Sequence, residues 1–199
     1  MKLKEKNPAL ILIDVQKAFK NEAYWGGNRN NKNAEVICGQ ILNKWRELGL
    51  PIFHIRHSSA DPKSKLNSSK KGFEFDENVI PRDNEPVITK EVNSAFIGTD
   101  LKEQLDKANI DTVVIVGITT NHCVSTTTRM AGNFGYETYL ISDATATFDR
   151  VGIKDEKYDA ETIHLTTLAN LNGEFATVWG SGKLMDEIGI VDSIELDKT

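Results

Sequence analysis

Cys123 lies in "GITTNHCVSTTTR" (117–129), directly after the apolar run "TVVIVGI" (112–118). A thiol placed where a strand gives way to a helix meets unpaired N–H groups and the positive end of the helix dipole, which favour a thiolate. Asp14 closes a second apolar run, "PALILID" (8–14), and Lys90 closes a third, "EPVITK" (85–90). A carboxylate near such a thiol takes its proton and later returns it to a leaving nitrogen. A nearby ammonium stabilises the thiolate, and backbone N–H groups around the cysteine hold an oxyanion. Together these parts suit acyl transfer through a thioester. Each also has a plain reading: an inert cysteine, a helix-capping aspartate, a solvated lysine.

Other residues offer rival chemistry. His122 adjoins Cys123, but successive residues at a helix start point about 100° apart, so the two are not expected to form a dyad. His54, His57 and Asp61 form the set a metal would need. On a strand His54 and Arg56 share one face while His57 points to the other, and a guanidinium beside a prospective ligand discourages a cation. No metal and no cofactor are therefore expected. His164 and Cys38 fall on the apolar stripes of helices and read as core residues.

These side chains need a scaffold. "PALILID" reads as a strand buried on both faces, as in a parallel sheet. "NEAYWGGNRNNKN" is a loop, and the apolar positions 34, 37, 38, 41, 42, 45 and 48 make one helical stripe closed by Gly49. "PIFHIRH" (51–57) is a second strand, and the polar stretch 58–72 is too long for a plain connection. Strand 85–90, a helix over 99–109 and strand 111–118 follow. Then come a helix from "NHCV" to Gly135, strand 136–144, helix 159–172, strand 174–179 and the short helix "SGKLMDEIG". The alternation predicts one domain over 1–199. It is a three-layer α/β fold with a mainly parallel sheet and right-handed crossovers. Ligands bind such sheets at the carboxyl ends of strands where strand order reverses. In the commonest order the first and fourth strands flank that point, which brings Asp14 and Cys123 together.

A net charge of −5 argues against nucleic acid or an anionic membrane as partner. The apolar core of the N-terminus, "ALILI", is too short for a signal peptide, and no apolar run reaches the ~20 residues of a membrane span. Two cysteines without a CxxC pair suit a reducing cytoplasm and give a structural zinc site no support.

The ordered motifs "LILIDVQKAF", "PVITKEVNSAFIGTDL", "VVIVGITTNHCVSTTTR" and "YETYLISDATATFD" resemble those of the isochorismatase-like cysteine hydrolases over roughly residues 7–180. That family includes nicotinamidases, N-carbamoylsarcosine amidases and streptothricin hydrolases. The resemblance implies a six-stranded parallel sheet and an Asp14–Lys90–Cys123 triad. It also implies a cis peptide between Ile118 and Thr119, and an oxyanion hole from the N–H groups of Thr119 and Cys123. Phe19, Gln16, Trp25 and Phe96 become the expected substrate-binding residues. Two departures narrow the reaction. Arg56 stands where nicotinamidases carry the aspartate of a metal-binding Asp-x-His pair, and Cys123 is absent from well-known vinyl-ether-cleaving isochorismatases. "HIRH" and the "TIHLTTLANLNGEFATV" tail look closer to the streptothricin-hydrolase-like branch. The resemblance thus implies hydrolysis of a small amide, lactam or carbamoyl compound by a homodimer or homotetramer. Vinyl-ether hydrolysis and a non-catalytic binding protein are the alternatives.

Overall fold

A computed structural model describes residues 2–189. The elements in chain order are β1 (Ala9–Ile13), α1 (Glu22–Trp25), α2 (Ala34–Leu48), β2 (Ile52–His57), β3 (Val87–Lys90), α3 (Leu101–Lys107) and β4 (Thr112–Ile118). They continue with α4 (Ser125–Asn133), β5 (Glu137–Ala146), β6 (Arg150–Val151), β7 (Lys157–Tyr158), α5 (Ala160–Leu171), β8 (Thr177–Trp179) and α6 (Ser181–Gly189). Six strands form one parallel sheet in the order β3-β2-β1-β4-β5-β8. The order reverses between β1 and β4, so this is the predicted switch point. The antiparallel pair β6–β7 was not legible as a hairpin, because two-residue strands carry no periodic signal.

Side-chain alternation divides the core into two layers. Ile11, Ile13, Phe53, Ile55, Val113 and Ile115 pack on one face with Leu101, Leu105, Ala131, Leu168 and Leu171 of α3, α4 and α5. Leu10, Leu12, Ile52, Val114 and Val116 pack on the other with Cys38, Ile41, Leu42 and Trp45 of α2 and Leu184 and Ile188 of α6. Strands covered on both sides explain the unbroken apolar runs. The α2 stripe ends as expected, with Gly49 left-handed at φ 65°.

Two backbone positions bring β1 and β4 into register for the site. Ile13 lies opposite Gly117, and a Cβ on Gly117 would sit 2.0 Å from the Ile13 carbonyl oxygen. Only glycine allows that approach. One residue on, Asp14 turns out of β1 at φ 52° while its N–H still donates to the Ile55 carbonyl. Aspartate is among the few side chains that enter this region readily.

Candidate active site

Asp14, His57 and Lys90 stand at the carboxyl ends of β1, β2 and β3, and Cys123 lies just past β4. Register explains the meeting: His57 and Lys90 are paired neighbours on β2 and β3. Asp14 and Lys90 are buried, and Lys90 Nζ donates to Asp14 Oδ2 at 2.7 Å. The second carboxylate oxygen, Oδ1, is buried with no hydrogen-bond partner. Lys90 Nζ also lies 3.2 Å from His57 Nδ1. An ammonium only donates, so Nδ1 accepts and His57 is neutral. Burial, then the Lys90 charge, pushes the His57 pKa down, in keeping with that state.

Cys123 sits in one π-helical turn, Thr120–Val124, that opens into α4. Its Sγ is 3.7 Å from Asn93 Oδ1. A donor atom each from Asp14, His57 and Cys123 lies within 4.8 Å of the other two. The helix-start argument favoured a standing thiolate, but burial and then the Asp14 carboxylate push the thiol up to about 12, against the opposing pull of Lys90. The resting group is therefore a thiol. The Ile118–Thr119 peptide just before it is cis.

Donors this close invite a metal reading. Yet the Lys90 ammonium sits 2.7 Å from the aspartate and 3.2 Å from the histidine, where a cation would have to be. The other metal candidates are dispersed. His54 is buried 2.8 Å from Glu85 Oε2, and Asp61 caps its own turn by accepting from Lys63 N. Arg56 donates to Thr89 Oγ1 and lies 4.5 Å over the Phe73 ring.

The thiol opens on a cavity of about 200 Å³ lined by Phe19, Trp25, His57, Ser59, Ser64, Leu66, Asn93, Thr119, His122 and Arg150. Phe19 and Trp25 line the cavity, with ring centroids 4.8 Å apart and the indole N–H on the Ala18 carbonyl. The stretch 58–72 supplies a wall, folded by its own bonds: Ser59 N donates to Leu66 O, and Asn67 Nδ2 to Ser59 O.

Two expected lining residues lie elsewhere. The Gln16 amide is spent on backbone. It accepts from His57 N at 2.8 Å and donates to the carbonyls of His57 and Phe73, so it ties the end of β1 to the end of β2. Phe96 belongs to the core, edge-on to Phe134 at 5.3 Å and stacked with Tyr136 at 6.0 Å. His122 was expected to take no part. It makes no dyad with Cys123 but does line the cavity, its Nδ1 3.2 Å from Arg150 Nη2. His164 is a core residue 2.9 Å from Thr120 Oγ1, as its stripe indicated. Sequence reading missed His57 and Arg150 as site residues. The strand end flagged His57, but only as a metal ligand.

Comparison with known proteins decides the family. The isochorismatase domain matches residues 8–179. The chain belongs to the isochorismatase family. The family protein YrdC of Bacillus subtilis is 50% identical over 183 residues, 92% of this chain and 97% of its own length. An isochorismatase-family crystal structure from Chromobacterium violaceum superposes with a TM-score of 0.91 at 38% identity, covering 96% of this chain and 98% of that one. Members named for amide substrates are more distant. Nicotinamidase 3 of Arabidopsis thaliana is 28% identical, over 88% of this chain and 86% of its own. A streptothricin hydrolase of Streptomyces noursei is 29% identical, over 71% of this chain and 50% of its own. Identity does not separate those two branches of the family.

Proposed function

We propose that this family member is a cysteine-dependent hydrolase of a small amide, lactam or carbamoyl compound. One observation carries the reading. A buried carboxylate holds Lys90 with one oxygen, leaves the other without a hydrogen-bond partner, and has an oxygen within 4.8 Å of the Cys123 thiol. That is the arrangement a proton-transfer base needs.

The proposed reaction has two halves, acylation and deacylation of Cys123. Asp14 Oδ1 accepts the thiol proton as Sγ attacks the substrate carbonyl, and a carbon–sulfur bond forms. The N–H groups of Thr119 and Cys123 take the oxyanion. Asp14 gives its proton to the leaving nitrogen as the carbon–nitrogen bond breaks. Water, deprotonated by Asp14, then cleaves the thioester and restores the thiol. Lys90 balances the buried carboxylate throughout, and neutral His57 fixes the ammonium. Phe19 and Trp25 supply a flat apolar wall for the acyl part.

The test is ammonia or amine release from a panel of small amides by wild type and three variants. Cys123→Ala and Asp14→Asn each lower kcat by about 10⁴-fold or more, and Lys90→Met by about 10²-fold or more. A Cys123→Ala protein that still releases ammonia or amine would overturn the covalent cysteine mechanism.

A further inference from the structure

His164 is a buried titratable side chain that the proposed chemistry does not use. It belongs to α5, a helix seated in the core by Ala160, Leu168 and Leu171, with Asp159 capping its first turn. Its Nδ1 lies 2.9 Å from Thr120 Oγ1 and its Nε2 3.5 Å from Asn31 Nδ2. Both hydrogens of that amide are spent on carbonyls, those of Ser142 at 3.0 Å and Thr145 at 2.7 Å. A hydrogen on Nε2 would face an NH₂ group, so Nε2 is bare. Burial lowers the His164 pKa, against the opposing pull of Glu161, and the ring is neutral. Its one proton is therefore on Nδ1 and is donated to Thr120 Oγ1.

Thr120 opens the π-helical turn Thr120–Val124. Such a turn departs from the regular ladder of an α-helix, so contacts from outside decide where it sits. Three successive side chains make them. Thr120 meets His164 of α5, Asn121 Oδ1 accepts from Thr147 Oγ1 just past β5, and His122 Nδ1 accepts from Arg150 of β6. The first of these bonds is buried, the second half-buried and the third exposed. Residues 120–122 also separate Thr119 from Cys123. Whatever fixes residue 120 therefore fixes the spacing of the two N–H groups assigned to the oxyanion.

We propose that His164 is a positioning residue for acylation of Cys123, acting through Thr120 to hold the turn between the two oxyanion donors. This rests on the cysteine-hydrolase reading. A buried N–H or hydroxyl that loses its partner shifts toward any other within reach. A misplacement of about 1 Å at a reacting centre costs about 10²-fold in rate.

Two small reagents separate positioning from general loosening. p-Nitrophenyl acetate acylates a thiol through an oxyanion: the sulfur–carbon bond forms, p-nitrophenolate leaves and the thiol proton passes to Asp14. Iodoacetamide alkylates the same thiol with loss of iodide and forms no oxyanion. Both rates are followed on Cys123 by phenolate absorbance and peptide mass, in wild type and in variants at 120 and 164. His164→Leu and Thr120→Val each slow acylation about 10-fold or more and change alkylation by less than about 3-fold. His164→Asn, whose amide returns an N–H near the Nδ1 position, and Thr120→Ser, which keeps the hydroxyl, recover most of the acylation rate. Packing alone predicts the reverse order at 164, because leucine fills the space that asparagine leaves empty. The double variant His164→Leu/Thr120→Val is no slower than the slower single one, since both remove the same bond. Acylation as fast as wild type in His164→Leu and Thr120→Val, leucine outperforming asparagine, or alkylation falling in step with acylation overturns the proposal and leaves the cysteine chemistry standing. A wild-type Cys123 that the ester never acylates refutes the cysteine-hydrolase reading, and the proposal with it. If His164→Leu does not fold, the comparison of Thr120→Val with Thr120→Ser decides.

Discussion

The two oxygens of Asp14 live in different surroundings, and the proposed chemistry depends on that difference. Oδ2 is held by Lys90, whereas Oδ1 is buried without a hydrogen-bond partner. Placement at a helix start argues for a thiolate, but burial outweighs it here, and the Asp14 charge adds to burial. Cys123 therefore titrates at about 12, and its proton leaves only as the substrate arrives. Thiolate absorbance near 240 nm should be absent between about pH 6 and 9. Asp14→Asn should lower the midpoint, since it removes a charge that opposes the thiolate; a thiolate present in wild type at neutral pH would contradict this. The types of Asp14, Lys90 and Cys123 were legible because Asp14 and Lys90 end apolar runs and Cys123 follows another. Arg150 was not, since it follows a polar stretch.

At the scale of elements, strand ends deliver the chemistry and buried polar ties fix them. Gln16 shows how a motif residue can be misassigned: its place beside Asp14 suggested substrate, yet its amide locks β2 to β1. Glu85 does similar work before β3. Burial works against its charge, but hydrogen bonds from Arg46, the Arg82 N–H and His54 prevail and hold the carboxyl down at about 2. A depressed carboxyl adds stability that is complete above its ordinary value of 4.5 and is lost as pH falls toward about 2. Wild-type Tm should therefore drop across that window. Glu85→Gln should flatten the drop, and Glu85→Ala should cost about 3 kcal/mol or more at neutral pH. An acid limb unchanged in Glu85→Gln would refute the assignment. The helix boundaries read from periodicity were close. The π-helical turn at Cys123 was not anticipated, because it replaces α-helical spacing over a single turn.

Across the whole molecule, the sheet order was legible because alternating β and α segments with right-handed crossovers leave few arrangements. The path of 58–72 was not, because polar stretches carry no period, and the structure turns it into a cavity wall. The same architecture separates the two cysteines. Cys38 is buried on the core face of α2, its Sγ donating to the Ala144 carbonyl, with its pKa pushed up by burial first and by Glu35. Cys123 faces the cavity. Iodoacetamide should modify Cys123 in the folded protein and Cys38 only as the whole molecule unfolds, so that denaturant accelerates Cys38 labelling in step with loss of circular dichroism. Labelling of Cys38 as fast as Cys123 under native conditions would contradict the packing.

The central claim is that Cys123 becomes acylated. The measurement is intact-mass and peptide mass spectrometry after rapid acid quenching of the protein mixed with a pooled library of small amides. The account predicts an acyl adduct on Cys123 alone, lost in Cys123→Ala and strongly reduced in Asp14→Asn. Release of ammonia or amine with no adduct on Cys123, and undiminished in Cys123→Ala, would contradict it.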